Sequence, residues 1–227
     1  MLDNRAFPSP ALPLLSPLGD SGLLVRFGAS LSEDANRAAI SFSDRLRATA
    51  VSGVEEVAGN LVSVLIRYDA QKTSYDALAG EVRLLLAGAD KLEPASSCGV
   101  AVAVDFGGEG GPDLAEVAAI LGLSQDDFIK RHNAVPLRVL ATGFAPGFVY
   151  CGFHPESLRV SRRPTVRARV PAGTVLFAAG QTAITSTAIP TGWHVIGHTR
   201  FANFSISWDP PTQLRPGDLV RFRSEFV

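Results

Sequence analysis

No apolar run in this chain approaches the ~18 residues that a membrane-spanning helix needs. A strongly basic surface is missing too. The 227 residues carry a formal net charge of −1, which argues against a dedicated nucleic-acid binder, so any anion-binding role must come from a local cluster. Cysteine is scarce: Cys98 and Cys151 cannot form a disulfide framework and lack the paired spacing of a zinc site. The N-terminal "MLDNRAFPSPALPLLSPLGD" has no basic region ahead of an unbroken apolar core, so no secretory signal is expected and a reducing, cytoplasmic setting is. No G-x-x-x-x-G-K-[ST] phosphate loop occurs, and "FGGEGGPDL" does not match G-x-G-x-x-G.

What is present describes a globular protein: 46% hydrophobic and 19% charged residues exclude global disorder. After a proline-rich leader of about twenty residues, "GLLVRFG" reads as a strand. "LSEDANRAAISFSDRLRATA" reads as an amphipathic helix capped by Ser32, with Ala39, Phe42 and Leu46 on one face. "GVEEVAGNLVSVLIRYD" gives two strands around Gly59-Asn60, and "SYDALAGEVRLLLAGA" a second helix ending near Gly88. This order predicts a small α/β sandwich over residues 1–95, with its helices on one face of a mostly antiparallel sheet. The polar "KLEPASS", Lys91–Ser97, is the expected linker. Beyond it come a strand ("CGVAVAVDFG"), a helix starting near Pro112, and a short helix capped by Ser124. From Val135 the chain turns to short strands, "VPLRVLATG", "TVLFAAG", "TAITSTA", "WHVIGHT", "NFSISWD" and "DLVRFRS", which predict a β-barrel or sandwich over residues 96–227. The fold class is therefore α+β.

Most chemical signals read blandly. The glycines of "FGGEGGPDL" suit a tight strand-to-helix turn, because Asp113 and Glu109 would repel a phosphate. His194 and His198 lie on a strand-like segment, share a face there and stand about 13 Å apart at ~3.3 Å per residue, too far for one metal. His132 and His154 have no neighbouring partners in sequence, so no metal site is expected. Cys151 reads as a small apolar filler.

The exception is Gly143–Val175, "GFAPGFVYCGFHPESLRVSRRPTVRARVPAGTV", with five arginines and four each of proline and glycine. An extended segment would point Arg163, Thr165, Arg167 and Arg169 to one side. Two readings are open, a solvated strand face or an anion-handling surface. Arginine presents a rigid fork that matches carboxylate and phosphate. The preceding loop, fixed by Gly143, Pro146, Gly147 and Gly152, displays Phe144, Phe148 and Tyr150. Aromatics and cations converging beside a rigid loop favour an anion pocket.

These residues resemble a known family. "LGDSGLLVRFG", "GGEGGPDL", "GFAPGFVYCG", "RRPTVRARVPAGTV", "GQT", "PTGWHVIGHT" and "LRPGDLVRF" are similar, in order and over nearly the whole chain, to the motifs of the family of B-type 5-oxoprolinase subunits. That family is also known as allophanate hydrolase subunit 1, or the Kip-type kinase-inhibitor family. The resemblance implies an N-terminal α/β domain, a C-terminal cyclophilin-like β-barrel, and two partners. One is a homologous-barrel subunit (allophanate hydrolase subunit 2, or the C-type subunit of 5-oxoprolinase); the other is the A-type subunit. Together they would open 5-oxoproline to glutamate at the expense of ATP, with no ATP loop in this chain. Carried over by position, the cleft would be lined by Phe144, Pro146, Gly147, Phe148, Tyr150, Arg162, Arg163, Arg167, Pro171, Gly192 and Trp193. Gln181, Thr182 and His198 would be catalytic. The arginines would hold a substrate carboxylate or phosphorylated intermediate, and Gln181 with Thr182 would hydrogen-bond the lactam amide. Departures from the family pattern at Val149, Thr185, Ser186, Thr191 and His198 are expected in or beside this cleft and bear on the substrate. The competing functions are a regulator that inhibits a sensor histidine kinase, and a carboxyltransferase-like subunit of a biotin-dependent urea carboxylase system.

Overall fold

A computed structural model describes residues 13–88 and 99–225. The expected linker at Lys91–Ser97, Cys98 and the first twelve residues lie outside the described residues. The chain forms two compact units, Met1–Pro94 and Ala95–Val227. Among the described residues no helix is long and apolar enough to cross a membrane.

The first unit runs β1 (Leu14–Pro17), β2 (Gly22–Arg26), α1 (Glu33–Thr49), β3 (Val54–Gly59), β4 (Ser63–Tyr68) and α2 (Tyr75–Ala87). Its strands form an antiparallel sheet in the order β1-β2-β4-β3. Alternation puts Leu23, Val25, Val64 and Ile66 on one face, where the register pairs Leu23 with Ile66 and Val25 with Val64. Phe42 and Leu46 of α1 and Leu78 and Val82 of α2 close over that face in one core. Each helix starts where a serine hydroxyl accepts a backbone N–H three residues on, Ser32 from Ala35 and Ser74 from Ala77. The end of the proline-rich leader supplies β1. It is an edge strand with Pro17 at its end, a position where the missing N–H costs no ladder bond.

The second unit contains β5 (Gly99–Phe106), α3 (Leu114–Ile120), α4 (Gln125–His132), β6 (Leu137–Thr142), β7 (Val149–Gly152), β8 (Arg167–Val170), β9 (Thr174–Ala178), β10 (Gln181–Ile184), β11 (Ile189–Thr191), β12 (His194–His198) and β13 (Leu219–Ser224). Among the described residues the barrel closes in the order β10-β7-β6-β13-β5-β12-β9, while β8 and β11 form a separate two-stranded ribbon. The barrel is antiparallel except where β13 runs parallel to β5. Its interior is filled by alternate residues such as Val104, Cys151, Phe177, Ile184 and Phe222, joined by Leu114 and Val117 of α3 and Phe128 of α4. A second cluster lies on the outer face. There Val170 and Ile189 of the ribbon pack onto Leu176, Ala178, Ala183 and Val195, with Phe148 and Trp193 alongside.

Two expectations are corrected. "NFSISWD" is no strand. It is a loop held by one isolated bridge, Phe204 to Thr212, with Ile206 91% exposed; an alternating pattern makes a strand only where a free sheet edge can receive it. The extended arginine segment begins only at Arg167, so Arg163 and Thr165 sit on a loop.

The turn before α3 lies tight on the barrel. A Cβ on Gly111 would come 2.2 Å from the Ile196 carbonyl oxygen and 2.5 Å from the Gly107 nitrogen, both backbone atoms that cannot swing aside. Gly111→Ala is therefore expected to destabilise the protein by roughly 2 kcal/mol or more, since overpacking against fixed atoms forces a backbone shift. Gly80→Ala, inside α2 with nothing within 4 Å of the new Cβ, is expected to stabilise by up to ~1 kcal/mol. Urea unfolding of the two variants checks both signs.

Candidate active site

The outer barrel face carries a row of aromatic rings built by β7 and its preceding loop. Phe144 contacts Phe148 at 5.5 Å between centroids, Phe148 contacts Tyr150 at 4.7 Å, and Tyr150 contacts Trp193 at 6.0 Å. The loop is pinned at Gly147, whose φ is +69° and whose Cβ would fall 2.3 Å from that of Phe204. Its carbonyl accepts from Asn203 Nδ2 at 3.0 Å and from Ser186 Oγ at 2.9 Å. Held this way, the loop leaves Pro146 exposed and Phe144 71% exposed.

One cation faces this row. The Arg162 guanidinium lies 5.7 Å from the Trp193 ring centroid, within cation–π range, and makes no ion pair among the described residues. Burial pushes the Tyr150 hydroxyl above its ordinary value, and the charge of Arg162 partly offsets this. The phenol is therefore a neutral donor at neutral pH. Gln181 completes the face. It pairs with Ala178 of the outer cluster and, through the β7–β10 register, is a diagonal neighbour of Tyr150, within reach of a long side chain. Gln181 is 5% exposed, and its Nε2 is buried without a hydrogen-bond partner. Arg163 Nε, Arg167 Nε and His194 Nδ1 share this condition, and a buried donor of this kind calls for a water or a bound group.

Arg163 and Arg167 are engaged, whereas Arg169 is exposed. Arg163 Nη1 donates to Asp113 Oδ1 at 2.8 Å and to Glu116 Oε2 at 3.1 Å, and Arg167 Nη2 donates to the same Asp113 oxygen at 2.5 Å. Asp113 Oδ2 accepts the Val195 N–H at 2.8 Å. Two arginines thus face two carboxylates with no charge left over. The open anion surface expected at Arg163 and Arg167 is a closed ionic junction, and neither is it a solvated face, because the Asp113 side chain is 5% exposed. Sequence spacing ordered the arginines but could not reveal an aspartate 50 residues away.

The three residues expected to be catalytic do not meet. Thr182 faces the barrel interior, one residue and one face away from Gln181. His198 pairs with Thr174 at the far end of β9, four residues or roughly 13 Å along the strand from Ala178, and bonds the Ala172 carbonyl at 3.2 Å. A bulge between Val195 and Gly197 also corrects the expectation that His194 and His198 share a face. Their partners Phe177 and Thr174 are three residues apart and so point oppositely. Of the remaining positions, Pro171 accepts from the Thr174 and Thr185 hydroxyls in the β8–β9 turn, and Gly192 accepts the Arg163 N–H. Among the departures, Ser186 and Thr191 adjoin the aromatic face, Val149 lies inside the barrel, and Thr185 and His198 sit by the turn.

His132 and His154 have the partners that the sequence concealed. Both Nε2 atoms lie 2.8 Å from Thr182 Oγ1, and His132 Nδ1 lies 2.8 Å from Asn133 Oδ1. The amide oxygen can only accept, so His132 carries its proton on Nδ1 and accepts a hydrogen bond from the Thr182 hydroxyl at Nε2; His154 then donates from Nε2 to the Thr182 oxygen. Burial lowers His132 to about 4, and burial together with His132 lowers His154 to about 2. Burial also pushes the Cys151 thiol up, leaving it an inert filler. Sequence signals for Asp113 and Asn203 were weak, a lone acid at a helix start and a lone amide in a Ser/Pro loop. No signal linked His132, His154 and Thr182.

Comparison with known proteins follows this geometry. A family model described as "Carboxyltransferase domain, subdomain C and D" matches residues 13–214. The chain is 46% identical over 133 residues to the B-type 5-oxoprolinase subunit of Escherichia coli O157:H7, covering 59% of this chain and 61% of that one. It is 31% identical over 218 residues to the B-type 5-oxoprolinase subunit of Bacillus subtilis strain 168, covering 92% and 91%. The crystal structure of TTHA0988 superposes with a TM-score of 0.78 at 33% identity, covering 91% of this chain and 40% of that one. The chain thus spans about three fifths of the first relative and two fifths of the solved structure.

Because both imidazoles are neutral when folded and protonate more readily when unfolded, acid favours the unfolded chain. Their stabilising contribution is complete above pH 6.5 and falls with pH, at about 1.4 kcal/mol per unit for each imidazole, until His132 titrates near 4. Unfolding free energies between pH 7 and 4 are expected to show this slope, and His132→Gln should flatten it. Equal slopes in the two proteins would contradict the assignment.

Proposed function

The chain belongs to the carboxyltransferase subdomain C and D family, among the B-type subunits of 5-oxoprolinase, and on that premise we propose that it is a non-autonomous subunit of an ATP-dependent amidohydrolase. Its substrate is 5-oxoproline or a related small amide, and its partners are the homologous-barrel C-type and the A-type subunits. Two observations carry this reading: a buried amide donor without a partner, Gln181 Nε2, on the strand diagonal from Tyr150, and Arg162, without an ion pair among the described residues, over Trp193. A lactam bearing a carboxylate has complementary chemistry. Gln181 donates to the ring carbonyl, Arg162 takes the carboxylate, and Tyr150 and Trp193 flank the ring and exclude water. Thr182 and His198 have no part in this step.

The nucleotide belongs with a partner. At the glycine turn before α3, the N–H of Gly111 is bonded to Gly107, that of Asp113 to Val195 and that of Leu114 to Gly111. The Asp113 carboxylate stands at the same helix start, so these residues do not fit a phosphate. Relatives in which the equivalent of this chain is a minor part of a longer polypeptide support a barrel that works beside further domains. The family model's description is the one observation favouring a carboxyltransferase-like role instead.

Reconstitution with cognate partner proteins tests the reading. Arg162→Ala is expected to raise KM for 5-oxoproline about ten- to a hundredfold without lowering Tm, since one charge-assisted bond contributes roughly 1.5–3 kcal/mol. Arg221→Ala, on the exposed side of β13, should leave both unchanged. If the two variants behave alike, the cleft is not the substrate site; strong ATPase activity by this chain alone would overturn its assignment as a non-autonomous component.

A further inference from the structure

The adjacent residues Arg162 and Arg163 do different work. On the loop after β7 the two side chains take different directions. Arg162 goes to the Trp193 ring, while Arg163 goes to Asp113 and Glu116 at the start of α3. Between them the Arg163 N–H donates to the Gly192 carbonyl at 2.8 Å, and Gly192 immediately precedes Trp193. The dipeptides Arg162-Arg163 and Gly192-Trp193 therefore face each other as a unit. The loop is tied to the barrel by the Ala179 N–H donating to the Val160 carbonyl, by His194 Nε2 lying 3.0 Å from the Ser161 carbonyl oxygen, and by one carboxylate shared among three segments. Asp113 holds Arg163, holds Arg167 at the start of the ribbon, and accepts the N–H of Val195 on β12. Its own N–H returns a bond to the Val195 carbonyl at 2.9 Å.

We infer that Asp113 is a positioning residue for the outer-face site: acting through Arg163 and Arg167, it holds the loop so that the Arg162 guanidinium covers Trp193. Asp113 touches neither Arg162 nor the aromatic row, so its effect travels through the junction. The functional weight of this inference rests on the cleft being the substrate site, but the positioning can be read without substrate. Removing the charge of Asp113 would leave two guanidinium groups without their shared partner, one on the loop and one on the ribbon, and the loop would lose its ionic contact with the start of α3.

The test uses the full chain carrying Trp208→Phe, so that Trp193 is the sole tryptophan, and reads acrylamide quenching of its fluorescence. Arg162→Ala should raise the quenching constant by uncovering the indole. Asp113→Asn, which keeps the shape and an acceptor for Val195, should raise it comparably. Added to Arg162→Ala, it should raise it no further. Arg163→Met, which keeps the side-chain stem, serves as a second variant if Asp113→Asn fails to fold by circular dichroism, with the same outcome expected. In the reconstituted complex, Asp113→Asn should raise KM about tenfold with Arg162 present and less than twofold with Arg162→Ala, a coupling of the size that interacting residues show. Quenching unchanged in folded Asp113→Asn and Arg163→Met would overturn the inference, as would effects that simply add to that of Arg162→Ala or an Arg162→Ala variant with unaltered quenching. Quenching as expected with KM indifferent to Arg162→Ala would uphold the positioning and reject the functional reading of the cleft.

Discussion

A buried carboxylate cannot stand alone in a protein interior, and that constraint organises the second unit of this protein. Asp113 is 4% exposed, and its oxygens are satisfied by Arg163, Arg167 and the Val195 N–H. Withdrawing a charge from water is costly, and the cost is met only when good partners surround it. The partners come from the loop after β7, the ribbon and β12, so satisfying one side chain brings three segments to the start of α3. The outer-face core of Val170, Ile189, Trp193 and Val195 lies beside that junction. Glu116 balances the second arginine, while Arg162 lies over the Trp193 ring.

The barrel then divides chemistry by side. Along β10, Gln181 and Ala183 face outward and Thr182 and Ile184 inward, because a strand alternates. Two residues adjacent in a motif thus enter different environments. Outside, an amide lacks a partner beside tyrosine and tryptophan. Inside, a hydroxyl is shared by two neutral imidazoles, ringed by Phe106, Phe128, Phe177 and Phe222. The interior group is buried and its three members are hydrogen-bonded in series, which suits it to specifying the core rather than to turnover. The exterior amide has a donor without a partner.

Much of the fold was legible in the residues. Ser32 and Ser74 cap helices whose apolar faces recur at the helical period, and those faces form the core of the first unit. Glycine and proline punctuate the second half into strands that close as a barrel. Local rules were enough there because capping and periodicity act within a few residues. They were not enough for β1, where prolines masked an edge strand, or for "NFSISWD", where alternation had no sheet edge to join. Within the site, the loop from Gly143 to Tyr150 and the importance of the arginine run were visible as rigid backbone beside aromatics and cations. Which arginine is available was not.

By itself the sequence determined the α+β class and the family to which the chain belongs, since each depends on local patterning or on motif order. Tertiary structure alone decided that Arg163 and Arg167 are bound to Asp113 while Arg162 is left for Trp193. It also decided that Gln181 and Thr182 part company, that a bulge turns His194 away from His198, and that His132 finds His154 through Thr182. These are questions of which residue stands opposite which across 28 to 82 positions of chain. Spacing along a strand fixes the direction in which a side chain points, but its charge state, burial and availability depend on what the closed barrel and its ribbon bring to meet it.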